Sequence, residues 1–164
     1  MKCRPMKLAD IPRVHEIDVL SFPLPWPENS FLFEMTENPS TLALVAEVTP
    51  PDAGSVVIGM VVDWIVVDEA HIATIAIHPA FRGNGYGRQL LAETLRQSIQ
   101  HGAILATLEV RETNMIAQQM YRAFGFSPVG RRLHYYKDNN EDAIIMTLER
   151  MSADYLAWLD KIGC

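Results

Sequence analysis

Cysteine is almost missing from this chain of 164 residues: its two copies, Cys3 and Cys164, stand at opposite ends. No C-x-x-C spacing is present to hold zinc or run thiol exchange. A terminus-to-terminus disulfide is one alternative, and two reduced thiols in a reducing cytoplasm are the expectation. Long apolar runs are missing as well. Nothing approaches the roughly 18–20 unbroken apolar residues of a membrane span. The opening Met-Lys-Cys-Arg-Pro-Met-Lys lacks the apolar stretch of a secretory leader. Positive charge is in deficit, with 14 Lys and Arg against 20 Asp and Glu, a net charge of −6. That balance argues against a nucleic-acid surface and favours cationic or amine-bearing partners. The five histidines, at positions 15, 71, 78, 101 and 134, show no metal-ligand spacing, so no metal is expected. No repeat, low-complexity tract or linker divides the chain. What is there is an ordinary globular composition, 49% apolar and 21% charged, at a length that suits one domain of roughly 100–200 residues. The expectation is a soluble, cytoplasmic, single-domain protein without nucleic-acid or membrane partners.

Local pattern then gives a mixed order of elements. Residues 1–6 can open a strand. Asp10 is expected to N-cap a helix over 10–20, with Pro12 in its first turn and Ile11, Val14 and Ile17 at helical spacing. The segment Ser21-Phe-Pro-Leu-Pro-Trp-Pro27 has prolines at 23, 25 and 27. These forbid helix and central strand alike, so it reads as an ordered loop carrying Phe22 and Trp26. A short helix over 28–38 stops at Asn38-Pro39. Strands are expected at 42–48, 56–67 and 71–77, separated by turns at 49–54 and 67–70. The almost wholly apolar run 72–77 predicts a strand covered on both faces. A helix at 86–100, a strand at 104–110 and a helix at 114–124 follow, then strands at 127–136 and 141–149. An amphipathic helix at 151–163, capped by Ser152 and turning Leu156, Leu159 and Ile162 to one side, ends the chain.

The most informative stretch is Arg82-Gly83-Asn84-Gly85-Tyr86-Gly87-Arg88, between a buried strand and a helix. Three glycines at alternate positions exceed what one turn requires. They let consecutive backbone N–H groups point into one concavity at a helix N-terminus, an arrangement that binds pyrophosphate. A Walker loop does not fit, because Lys-Ser/Thr is missing after the last glycine. A dinucleotide fingerprint does not fit either: its third glycine would fall at Arg88, and the turn lies past mid-chain.

The pattern R-x-x-G-x-G, with Arg82, Gly85 and Gly87 in its fixed places, resembles the coenzyme A pyrophosphate loop of the GNAT N-acetyltransferase superfamily. The resemblance runs from about residue 4 to 149. Several further stretches are similar to the ribosomal-protein N-terminal alanine acetyltransferases of bacteria and related archaeal enzymes. These are Leu108-Glu-Val-Arg111, Asn114, Tyr121-Arg-Ala-Phe-Gly-Phe126, the Phe-Pro-x-Pro-Trp loop at 22–26, and Tyr135-Tyr136 with Glu141-Asp-Ala-Ile-Ile-Met146. The resemblance implies an α/β GNAT fold over 1–150: a mixed, mostly antiparallel sheet of about seven strands, splayed between the fourth and fifth and flanked by helices. Residues 151–164 would be an additional helix, suited either to dimerisation or to covering an apolar patch. It also implies acetyl-CoA as donor and a protein N-terminus, of the ribosomal-protein type, as acceptor, with direct attack and no acyl-enzyme. The oligomeric expectation is a monomer or weak homodimer. An enzyme for a small amine or lysine side chain, or a non-catalytic acyl-CoA-binding module, are the alternatives.

Residue by residue, the resemblance gives the backbone of Ile75, Ala76 and Ile77 to pantetheine. It gives Arg82, Gly83, Asn84, Gly85, Tyr86, Gly87 and Arg88 to the pyrophosphate, with Asn114 also touching the coenzyme. Glu109 interrupts an apolar strand, where an unpaired carboxylate is costly. Its own sequence context leaves open a pair with Arg111 on the same strand face; the family likeness makes it the general base. Tyr121 lies two helical turns after Asn114 and on its face. A core aromatic needing a hydroxyl partner is one reading, and the likeness makes it the acid that protonates the departing thiolate. Phe22, Leu24 and Trp26 either wall an acceptor slot or pin their loop to the core, with Tyr135 and Tyr136 opposite and one of those two inward. Three departures stand out: the Pro-Pro turn at 50–51, the extra C-terminal helix, and Leu24, which lengthens the Phe-Pro-Trp loop and bears on acceptor preference.

Overall fold

The computed structural model describes residues 1–51 and 54–162. Cys164, the inward side chain expected of Ile162 and the tip of the 49–54 turn lie outside what is described. Strand β1 (Lys2–Pro5) leads through a 3-10 turn (Leu8–Asp10) to helices α1 (Ile11–Ser21) and α2 (Glu28–Thr36). Three strands follow: β2 (Thr41–Val48), β3 (Val56–Val66) and β4 (Glu69–Ile77). Then come α3 (Tyr86–Gln100), β5 (Leu105–Arg111), α4 (Met115–Ala123), β6 (Ser127–Tyr136), β7 (Glu141–Leu148) and α5 (Ala153–Ile162). The sheet has seven strands in the order β1-β2-β3-β4-β5-β7-β6. Only β4 and β5 run parallel, joined by the α3 crossover.

Alternation along the strands sorts side chains to two covered faces. On one, Val14, Ile17 and Phe31 from α1 and α2 pack on Val45, Met60 and Val62. On the other, Leu90, Leu91 and Leu95 from α3 pack on Leu44, Val61 and Leu108. Each such fully buried side chain contributes about 1.5–3 kcal/mol. Helix α5 covers more of the α3 face: Leu159 is fully buried, Trp158 meets the Phe124 ring edge-on at 5.7 Å, and Tyr155 Oη donates to Phe124 O at 2.8 Å. Ser152 caps it as expected, its Oγ accepting from the Tyr155 amide at 3.3 Å. No helix among the described residues is long and apolar enough to cross a membrane.

Two local expectations need correcting. The Asp10 side chain does not cap α1. One oxygen accepts from the Lys7 amide at 2.7 Å, closing the 3-10 turn, and the two oxygens take Arg4 Nη1 and Nη2 at 2.6 and 2.9 Å. That guanidinium holds the Asp10 carboxyl below its ordinary range. Strand β4 is not closed on both faces, since His71, Ala73 and Ile75 stay half-buried. The reason is the sheet itself. β4 pairs with β5 only from Glu69–Leu105 to Ile72–Leu108, and beyond that the two strands part.

Candidate active site

The parting of β4 and β5 begins where β4 carries a bulge: Ile72 sits opposite Asp63 and Thr74 opposite Val62, leaving Ala73 as an extra residue. The bulge re-aims the rest of the strand, so that Ile75 and Ile77 face the α3 side with Ile72. The His78 amide donates to Ile58 O at 2.8 Å, back toward β3. By alternation the amide of Ala76 also points to β3, while those of Ile75 and Ile77 turn to the open edge. Of the three residues expected to meet pantetheine, two therefore present backbone groups to the opening.

At the end of β4 the chain enters the glycine segment. Arg82, expected at the pyrophosphate, secures the turn: Nε donates to Ile77 O and Nη2 to Ser21 Oγ, each at 2.8 Å. Asn84 Nδ2 donates to Phe81 O and Arg82 O, both at 3.1 Å, so its side chain also serves the loop. Gly83 and Gly85 adopt φ of +80° and +79°, the left-handed region that disfavours any Cβ. Among the described residues, no acceptor meets the amides of Gly83, Asn84, Gly85, Tyr86 and Gly87. They lie at the N-terminus of the 15-residue helix α3, whose dipole adds positive potential. This cradle has the donors and the sign of charge that a pyrophosphate needs. Tyr86 packs on the core, and the exposed Arg88 guanidinium lies 5.6 Å from the centre of the Phe124 ring.

On the α1/α2 face of the opening stands Glu109, its side chain 11% exposed. The alternative pair with Arg111 does not form. Glu109 Oε2 meets His71 Nε2 at 2.7 Å, and Oε1 accepts from Arg132 Nε at 3.0 Å. Arg111 turns to Asp138 and Glu141 at 2.8 and 3.0 Å, because the β5–β7 register brings that hairpin alongside it. The hydrogen bond with Glu109 raises the His71 pKa above 6.5, and the same bond lowers that of Glu109. His71 and Arg132 are the site residues that sequence reasoning passed over. Parity held a signal for the first: His71 pairs with Thr107, two residues before Glu109 on the same face of a parallel pair.

On the α3 face lies Tyr121, 6% exposed. The partner expected for its hydroxyl is not found among the described residues, and burial raises its pKa. Asn114 caps α4, Oδ1 accepting from the Ala117 amide at 3.2 Å. Gln118, unnoticed in the sequence, ties α4 to the end of β5 by donating to Arg111 O and Glu112 O at 3.0 and 2.9 Å. Tyr136 is the inward member of its pair, under the Arg111 guanidinium at 3.9 Å, while Tyr135 is 45% exposed. Burial pushes the Tyr136 phenol up to about 12, and both Tyr121 and Glu109 feel its neighbourhood electrostatically.

The proline loop follows both earlier readings in part. Phe22 packs on the α1/α2 core and Leu24 is 54% exposed. Trp26 is pinned through its amide, which donates to Asp18 Oδ2 at 2.6 Å. Its ring lies 5.4 Å from that of Phe31 and stacks 6.3 Å from Trp64, which in turn meets His71 edge-on at 5.5 Å. An aromatic row thus leads along the face from the loop to the Glu109–His71 pair.

Comparison with known proteins agrees with this geometry. Residues 11–126 match the family model described as "Acetyltransferase (GNAT) family". The chain is 43% identical over 143 residues to the Bacillus subtilis protein named "Putative ribosomal protein bS18-alanine N-acetyltransferase", covering 87% of this chain and 91% of that protein. It is 30% identical over 145 residues to the ribosomal protein bS18-alanine N-acetyltransferase of Salmonella typhimurium, covering 87% and 93%. Among solved structures, the ribosomal-protein-S18-alanine N-acetyltransferase of Escherichia coli superposes with a TM-score of 0.79 at 28% identity, covering 93% of this chain and 96% of the other.

Proposed function

The chain belongs to the acetyltransferase (GNAT) family, and on that premise we propose that it moves the acetyl group of acetyl-CoA onto the α-amino group of a protein N-terminus. The ribosomal-protein-alanine acceptor is the form of this reading that the similar proteins support. The observation that carries it is the opening between β4 and β5, with the Glu109–His71 pair on one face and the Tyr121 hydroxyl on the other.

The amides of Gly83 to Gly87 supply donors for the pyrophosphate, and the open-edge groups of Ile75 and Ile77 supply a strand-like border for the pantetheine arm. Bound there, acetyl-CoA supplies a thioester carbonyl as electrophile. An α-amino group has a pKa of about 7.7–8.0, so near neutrality it is mostly ammonium and must lose a proton before it attacks. Glu109, the expected general base, acts through the imidazole it is bonded to: its carboxylate holds the Nε2 proton of His71, and Nδ1 of that ring takes the amine proton. The amine nitrogen bonds to the carbonyl carbon, the carbon–sulfur bond breaks as the Tyr121 hydroxyl gives its proton to the leaving sulfur, and the second proton of the attacking nitrogen leaves to restore the phenol, giving the neutral amide. The raised pKa of Tyr121 keeps its proton in place until the carbon–sulfur bond breaks. Asn114, at the start of α4, is assigned to the coenzyme, and a cytoplasmic location suits an acceptor made on the ribosome.

The test is acetyl-CoA with peptides bearing an unblocked N-terminus, N-blocked lysine peptides and polyamines, with the added acetyl located by fragment mass spectrometry. Acetyl on α-amines supports the reading. Acetyl confined to lysine or polyamines moves the acceptor elsewhere, and coenzyme binding without product turns the chain into a binding module.

A further inference from the structure

We propose that Gln118 is a positioning residue for the leaving-group acid: its carboxamide, bonded to the end of β5, sets where the Tyr121 hydroxyl stands in the opening between β4 and β5. The inference rests on the acetyltransfer reading above and adds to it what holds the acid in line with the sulfur.

Beyond the pair Ile72–Leu108, β5 has left β4, and its last residues pair on their other edge with β7 as far as Arg111–Ala143. Helix α4 turns back over this end, and only two of its side chains are buried, Gln118 and Tyr121. Three residues apart, they share one face of the helix. Gln118 is 4% exposed, and its Nε2 spends both protons on consecutive carbonyls, Arg111 O at 3.0 Å and Glu112 O at 2.9 Å. Among the described residues, no other α4 side chain makes a hydrogen bond to another element.

Tyr121 has no such anchor. Its ring lies 5.8 Å from that of Phe126 at a tilt of 58°, and its hydroxyl meets no partner among the described residues. Aromatic packing holds the plane of a ring more firmly than its position along a neighbour, whereas a hydrogen bond restricts distance and angle together. The place of the hydroxyl therefore follows α4, and α4 follows Gln118. Protonating the leaving sulfur needs that hydroxyl within hydrogen-bond reach, and a misplacement of about 1 Å can cost up to about 10²-fold in rate. Without the carboxamide, two buried carbonyls lose their donor, so α4 and the end of β5 gain by parting to admit water.

The experiment is a double-mutant cycle on the single-turnover rate of acetyl transfer to a peptide α-amine, with acetyl-CoA and peptide saturating, so that product release does not enter. Gln118→Met keeps the length of the side chain and removes its donors. It should lower the rate about tenfold while leaving KM for the peptide in place. In a Tyr121→Phe background the same change should cost about twofold or less, because no acid remains to be misplaced. Gln118→Asn, one methylene shorter and still an amide, is read in the same cycle and decides if Gln118→Met folds poorly. A tie that only supports the fold costs the same factor in both backgrounds; that result, or no loss in either Gln118 variant, overturns the positioning role alone. A Tyr121→Phe enzyme that transfers at full rate overturns the acid assignment and the positioning with it. Absence of α-amine product from every peptide overturns the acetyltransfer reading and everything resting on it.

Discussion

Two glycines two residues apart in the coenzyme cradle should respond to alanine with opposite signs. Gly85 sits at φ +79° with nothing within 4 Å of a built Cβ, so Gly85→Ala meets strain without a clash. Left-handed backbone costs an L-residue about 1–2 kcal/mol, and the loss of unfolded-chain freedom returns about 0.4–1. The net is a destabilisation of up to about 1.6 kcal/mol, or up to about 6 °C in Tm for a domain of this size. Gly87 lies in the first turn of α3 at ordinary helical φ, and its built Cβ meets Met120 Sδ at 3.7 Å and Ile77 Cγ1 at 3.8 Å, both ordinary contacts. Gly87→Ala should raise stability by about 0.5–1 kcal/mol, a rise of roughly 1–4 °C. Differential scanning calorimetry without coenzyme reads both. Calorimetric titration with coenzyme A then asks what each Cβ does to the cradle. The Gly87 methyl points between Ile77 and Met120, along the border of the opening, so this thermally stabilised variant should bind coenzyme more weakly. If both substitutions move Tm in the same direction, the backbone argument is wrong; if Gly87→Ala binds as tightly as the parent, the opening is not where the coenzyme lies.

Other outcomes follow from the same geometry. Glu109→Gln and Tyr121→Phe should each lower kcat by about 10²-fold or more while leaving coenzyme affinity in place; full rates in both across pH 6–9 would remove them from the chemistry. By NMR titration His71 should have a midpoint above 6.5 that falls in Glu109→Gln, because the carboxylate is the main cause of its rise. The raised His71 pKa contributes stability present below 6.5 and lost as pH rises through the folded value, and the lowered Glu109 pKa contributes stability present above 4.5 and lost on acidification. Glu109→Gln should therefore cost most stability between these limits, and a flat difference across pH would contradict the pairing. Asp63 is fully buried, with Oδ2 accepting from Ser98 Oγ at 2.6 Å and Oδ1 unpartnered, and burial pushes its carboxyl up to about 6. The folded protein then holds that proton more tightly than the unfolded chain, so stability falls as pH rises from about 4 to about 6. Asp63→Asn should gain up to about 2–3 kcal/mol at pH 7.5 and nothing near pH 4, read from urea unfolding at the two pH values.

Much of the framework was legible from local chemistry. The 86–100 helix was bounded by a glycine turn and by His101-Gly102, and the structure has it at Tyr86–Gln100. Strand β6 likewise runs Ser127–Tyr136 as its pattern indicated, and the glycine segment was recognisable as the turn that opens a helix. Asp10 was legible only as a residue type suited to a cap. Its carboxylate both closes a turn on the Lys7 amide and pairs with Arg4, and the second bond depends on β1 lying beside the turn.

The sequence by itself determined the elements, their order and the residues able to do chemistry, because propensity, periodicity and turn geometry act over a few neighbours. Tertiary structure alone decided who meets whom. Glu109 and Arg111 share a strand face, yet the parallel register of β4 and β5 brings His71 to one, and the β5–β7–β6 hairpin brings Asp138 and Glu141 to the other. Arg82 reads from the sequence as a phosphate ligand, and only the fold shows that two of its donors also tie the end of β4 to the last residue of α1. The Trp26–Trp64 stack, and the bond from Trp64 Nε1 to the Glu34 carboxylate, join residues with up to a helix and a strand between them. Such pairings are set by sheet order, one bulge and the parting of two strands, whose energies are summed over the whole core rather than written in any short stretch of chain.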